Sequence, residues 1–161
     1  MLGFSEWLAG TSASALVTNL LWVIPTFQTI HILALAILFT SVGAIALRSY
    51  GLLGLAATPA QTARRFTPWV WSALVALLVT GSVLILGEPV REFINWAFWI
   101  KIPLILIAAA ATAAITNGLA RSEGADPNAV IARARRGTAV IVLLWGLVVV
   151  FGRLIAYGQI A

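Results

Sequence analysis

The stretch IPTFQTIHILALAILFTSVGAIAL, residues 24–47, decides the fold: it is apolar along its length and His31 is its only ionisable side chain. An α-helix rises 1.5 Å per residue, so about 20 such residues cross the hydrocarbon core of a bilayer. Three runs of the same kind follow, at 67–87, 94–116 and 137–157. The pattern predicts an all-α, polytopic membrane four-helix bundle forming a single transmembrane domain over 1–161.

Composition excludes a soluble core. A soluble domain is about 45–50% apolar and about 25% charged, whereas this chain is 61% hydrophobic and 9% charged, with a mean hydropathy of +1.03. Too few polar residues remain to cover a surface facing water. The longest stretch outside the runs, 48–66, is too short to bury a core of its own. Cysteine is absent, which removes disulfides, thiolate metal sites and thiol nucleophiles. With one histidine, a metal site within one chain would rest on carboxylates, which favour hard cations. The first residues lack the positive n-region of a secretory signal, so no cleaved segment is expected.

The net charge of +5 is placed for topology rather than for nucleic acid. The first connection holds Arg48, Arg64 and Arg65; the third holds Arg121, Arg133, Arg135 and Arg136; the second holds only Arg91, between Glu88 and Glu92. Connections one and three share a side when four helices cross, and the basic excess places that side in the cytoplasm. Both termini then face outward, the periplasmic side of a bacterial inner membrane. Arg64, Arg65, Arg133, Arg135 and Arg136 are expected to meet anionic lipid head groups.

The segment at about 4–21 mixes apolar with small and hydroxylated residues and ends before Pro25. It is expected to be a short amphipathic interfacial helix lying on the outer surface and turning into the first crossing. Trp69 and Trp71, behind Pro68 at a helix-start position, anchor the second run at the inner interface. Trp96 and Trp99 anchor the third run outside, and Tyr157 closes the fourth. Trp145 lies mid-run, where its indole N–H needs a partner between helices. Asp126 followed by Pro127 signals the start of a short helix that runs into the cluster at 133–136. The alanine-rich stretch 108–114 suits close backbone approach.

Ionisable groups in lipid cost free energy and mark candidate sites. Three runs carry one each: His31, Lys101 and Arg153. Counting from the outer ends at 1.5 Å per residue puts His31 and Lys101 roughly 10 Å deep and Arg153 roughly 6 Å deep. Thr80 lies near that level, with Gln28 one turn above His31. Two cations and an imidazole suit an anion, a quinone's developing charge or a haem propionate. His31 also supplies one axial ligand to a haem b iron, but no second histidine or internal methionine completes the pair. Snorkelling of the two cations, with Glu88 and Glu92 as carboxylate partners, is the alternative.

The order of pieces resembles a small uncharacterised family of bacterial inner-membrane proteins over nearly the whole chain. The family's first long helix carries a His-Ile/Leu-Leu step, as His31-Ile32-Leu33 does here. Its second helix opens on the pattern held by Arg64, Arg65, Phe66, Pro68 and Trp69, and its third on that of Asn95, Phe98 and Lys101. The resemblance implies a four-helix inner-membrane protein and brings no function with it. More distantly, the chain is similar to copper-resistance D-like membrane proteins, without the methionines and extra histidines that copper handling wants.

Two functions follow. The first is a non-catalytic integral membrane subunit or accessory protein, packed against the lipid bilayer and against other membrane protein subunits or itself. The second is a haem- or quinone-binding electron-transfer protein with its site around His31, Lys101 and Arg153.

Overall fold

The computed structural model describes residues 2–52, 56–122 and 124–157, with side chains through 155. The described residues form helices and no strand: α1 Leu2–Ala9, α2 Ser12–Asn19, α3 Val23–Ser49, α4 Pro59–Gly87, α5 Pro89–Ile94, α6 Trp96–Ala120 and α7 Pro127–Tyr157. Four of them, with spans of 27, 29, 25 and 29 residues, are long and apolar enough to cross a membrane. At 1.5 Å per residue they reach roughly 37–44 Å, beyond a hydrocarbon core of about 30 Å. Their ends therefore extend into the head-group region.

Local chemistry sets the boundaries. Gly10 and Thr11 split the N-terminal segment into two helices where one was expected. The Thr11 side chain accepts from Ser14 N at 3.3 Å and so restarts the helix as α2. Pro25 falls in the first turn of α3, where its missing N–H costs nothing. At the far end of α3, Leu52 N donates to Leu47 O and Gly51 N to Arg48 O. Gly51 takes φ +77° there, the left-handed C-cap that glycine adopts without strain.

The start of α4 lies at Pro59 rather than at 67. Thr58 and Gln61 form a capping box: Gln61 N donates to Thr58 Oγ1 at 3.2 Å and Thr58 N to Gln61 Oε1 at 2.9 Å. Pro68, expected at a helix start, sits inside α4 instead. Beside it the Thr67 hydroxyl donates to Ala63 O at 2.6 Å. Asp126 caps α7 as expected, accepting from Asn128 N and Ala129 N at 3.1 and 3.3 Å. That helix does not stop at the arginine cluster but runs on as the fourth crossing.

The four long helices form an up-down-up-down square in which α3 neighbours α4 and α7, while α6 neighbours the same two. The core is layered. Leu38, Val42, Val70, Ala73, Ala108, Ile141, Trp145 and Val148 fill the middle. Ile45, Ala63, Leu119 and Ala134 fill one end, and Ala97, Phe98 and Ile155 the other. Trp145 finds the expected partner: its Nε1 donates to Thr112 Oγ1 at 3.0 Å, and that hydroxyl donates to Ala108 O at 2.7 Å. Large apolar side chains such as Leu78, Leu106 and Leu143 lie outside, more than 60% exposed. With no hydrophobic force between helices in lipid, close packing carries their association. Gly137 shows this, since a Cβ there would meet Ile115 at 2.7 Å.

The short helices close one end of the square. Ser14 of α2 donates to Leu86 O at 2.8 Å. Phe4 of α1 meets Phe93 of α5 edge-on at 5.4 Å. The anchoring role expected for Tyr157 concerns a side chain outside the described residues.

Candidate functional site

The end closed by α1, α2 and α5 mixes acids with bases, and it gathers most of the groups singled out in the sequence. His31, near the start of α3, places Nδ1 2.7 Å from Thr80 Oγ1 on α4. Thr80 is buried, 3% exposed, and its single hydroxyl proton goes to Ala76 O at 2.6 Å. With that proton on Ala76 O, the oxygen is placed to accept from His31 Nδ1–H, an arrangement that matches the Nδ1–H tautomer with a lone pair on Nε2. Gly81 lies beside the ring: a Cβ there would stand 3.6 Å from His31 Cε1, at ordinary van der Waals contact.

Lys101 is positioned by the start of α6. Asn95 accepts from Ala97 N at 2.9 Å, capping the helix, and its Nδ2 reaches Ile155 O of α7 at 3.4 Å. That tie sets α6 against the end of α7 and lays the Lys101 amine over Gly152, where a Cβ would be 3.4 Å from Nζ. The half-buried ammonium interacts through space with His31 and with Glu92. Among the described residues the ion pairs here join Arg91 to Glu88 and, at 3.8 Å, to Glu92. None joins Lys101 directly to a carboxylate. Arg91 Nε is buried without a hydrogen-bond partner.

Burial of Glu92 on α5 raises its carboxyl above the ordinary carboxylate range; the positive charges of Lys101 and Arg91 pull the other way. The sequence reading counted Glu88 and Glu92 together as loop carboxylates. The structure separates them by burial: both pair with Arg91, but Glu88 is exposed while Glu92 is partly buried and feels the charge of Lys101. The position missed in the sequence is Gly81, which carries no signal until the helix faces are known. Asn95 was singled out there only within the family pattern; its cap on α6 and its tie to Ile155 O emerge from the fold.

Arg153 follows Gly152 on α7 with its side chain exposed. Gln28 is exposed on α3. His31 and Thr80 thus meet, with Lys101 at the same end of the bundle, while Arg153 and Gln28 are exposed there. At the opposite end Arg64, Arg65, Arg133, Arg135 and Arg136 are exposed. Two arginines there are held by backbone: Arg48 Nε donates to Ala57 O, and Arg135 Nε to Ser49 O at 2.9 Å, with its guanidinium 5.6 Å from the Tyr50 ring centre.

Four apolar crossings in an antiparallel square define a multi-pass integral membrane protein. Comparison with known protein families, with curated proteins and with solved structures finds no match.

Proposed function

We propose that this chain is an integral membrane subunit that binds a quinone-class ligand, a lipophilic carbonyl-bearing ring, at the mixed-charge end of its bundle. The observation that carries the reading is Lys101: an ammonium inside a membrane bundle, at the same end as His31, with no salt bridge to a carboxylate among the described residues. Such a group is expensive to hold in lipid and marks a site. The Lys101 ammonium donates to a carbonyl oxygen and stabilises negative charge on it, while His31 Nε2 accepts a hydrogen bond from a ring hydroxyl.

Haem b suits these residues less well. Nε2 is the one ligating atom, and the described chain offers no second axial group. The test is extraction and chromatography of bound quinone from gently solubilised protein, with oxidised and reduced visible spectra taken alongside. Quinone that co-purifies with the wild type and is lost from Lys101→Met and His31→Gln is expected. Equal quinone in all three sinks the reading, and a Soret band lost in His31→Gln reassigns the site to haem.

A second reading, an accessory subunit packed against neighbouring helices, draws on the exposed small residues Ala110 and Ala114, one turn apart on α6. It expects co-purification with other membrane proteins in mild detergent; a monodisperse single chain counts against it. In either reading we place the arginine end in the cytoplasm of a bacterium and both termini in the periplasm. A reporter fused after Ala161 and active only in the cytoplasm would reverse that orientation.

A further inference from the structure

At the arginine end, a groove of about 470 Å³ runs between α6 and α7, lined by Ile115, Ala129, Ala132, Arg133, Arg136, Gly137 and Val140. Residues 133, 136, 137 and 140 of α7 follow the spacing of one helix face. The two arginines stand at the end of that face, and the apolar residues continue toward the middle of the membrane. Gly137 lets α7 approach so closely that a Cβ would strike Ile115, while Ala129 and Ala132 leave the outer part of the groove empty. Gly118 of α6 gives the Arg133 guanidinium its seat: a Cβ there would lie 3.5 Å from Nη2.

The arginines of this end divide by what holds them. Arg135 is committed to Ser49 O and the Tyr50 ring, and Arg48 to Ala57 O. Asp126, the described acid nearest in sequence, is occupied with capping α7. Arg133 and Arg136 make no ion pair among the described residues, and they border an apolar slot at head-group level. We infer that this groove is a binding site for one anionic glycerophospholipid. Its phosphate lies between the Arg133 and Arg136 guanidiniums, and the first part of an acyl chain lies along Gly137, Val140 and Ile115. Charge complementarity names the head group and the apolar floor names the tail. A free anion would leave that floor unused, and a partner helix would bury both cations without a counter-charge.

Native mass spectrometry of the full chain in mild detergent tests this, with phosphatidylglycerol, phosphatidylcholine of the same acyl chains, or inorganic phosphate added. The wild type retains one phosphatidylglycerol in preference to phosphatidylcholine. Arg133→Gln and Arg136→Gln each weaken that retention about fivefold, the share of one arginine at an anionic lipid surface. Ala132→Phe, which fills the slot and leaves both charges, lowers retention of either lipid. Arg64→Gln with Arg65→Gln leaves it unchanged. Equal retention of both lipids by the wild type overturns the inference, as does an equal loss from the Arg64 and Arg65 variant. Displacement of the lipid by inorganic phosphate would assign the arginines to a soluble anion instead. If Arg133→Gln and Arg136→Gln do not fold, Ala132→Phe carries the test alone.

Discussion

The two ends of the bundle handle charge in opposite ways. At one, Arg48 and Arg135 spend their donors on the carbonyls of Ala57 and Ser49, so that charge closes loops and holds the last turn of α3. At the other, Lys101 rests on Gly152 and His31 is fixed through only one ring nitrogen. A committed cation stabilises the fold; an uncommitted one in lipid costs free energy and is kept for another reason. Mutating the two kinds of cation should therefore move stability in opposite directions.

The largest effect belongs to the layer that joins the ends. Trp145 fills the middle core and ties α7 to Thr112 of α6. Trp145→Ala is expected to cost about 3–5 kcal/mol in unfolding from detergent micelles. Trp145→Phe, which loses chiefly the indole hydrogen bond, should cost about 1 kcal/mol. Near-equal losses would mean that the join to Thr112, and not packing around the ring, holds the halves together.

Next comes the comparison itself. Arg135→Met removes a charge-assisted bond to Ser49 O and the stacking on Tyr50, an expected loss of about 1–2 kcal/mol. Lys101→Met replaces a half-buried cation by an apolar chain of similar length, and the same unfolding measurement should show no loss, or a gain of up to about 1 kcal/mol. A clear destabilisation by Lys101→Met would place Lys101 among the structural cations and erase the difference between the ends.

That difference was only partly legible in the sequence. Length and hydropathy gave the four crossings, because a bilayer demands about 20 apolar residues whatever packs against them. Helix starts outside the lipid answer to other chemistry, so α4 reaches back to Pro59 through Thr58 and Gln61, past the polar residues that end the apolar run. Depth brought His31, Lys101 and Thr80 to one level. Which way each pointed was not readable, because a membrane helix is apolar on the lipid side and the core side alike, and the amphipathic stripe that orients a soluble helix is missing. Hence the contacts of Gly81 with His31 and of Gly152 with Lys101 emerged only from the fold.

The smallest effect concerns Glu92, and it probes the uncommitted end from the acid side. Burial raises the carboxyl above its unfolded value more than Lys101 and Arg91 lower it. The folded chain then holds that proton more tightly than the unfolded chain. Its contribution to stability is fully present below the ordinary carboxylate range and is lost as pH rises through the raised value. A melting series from acid pH to neutrality should show a shallow decline over that window, and Glu92→Gln, which cannot ionise, should flatten it. A decline running the other way would mean that the ionised carboxylate is the form the fold prefers. Glu92 would then be a true counter-ion to Lys101, the ammonium would be a paired structural group, and the two ends of the bundle would differ in composition alone.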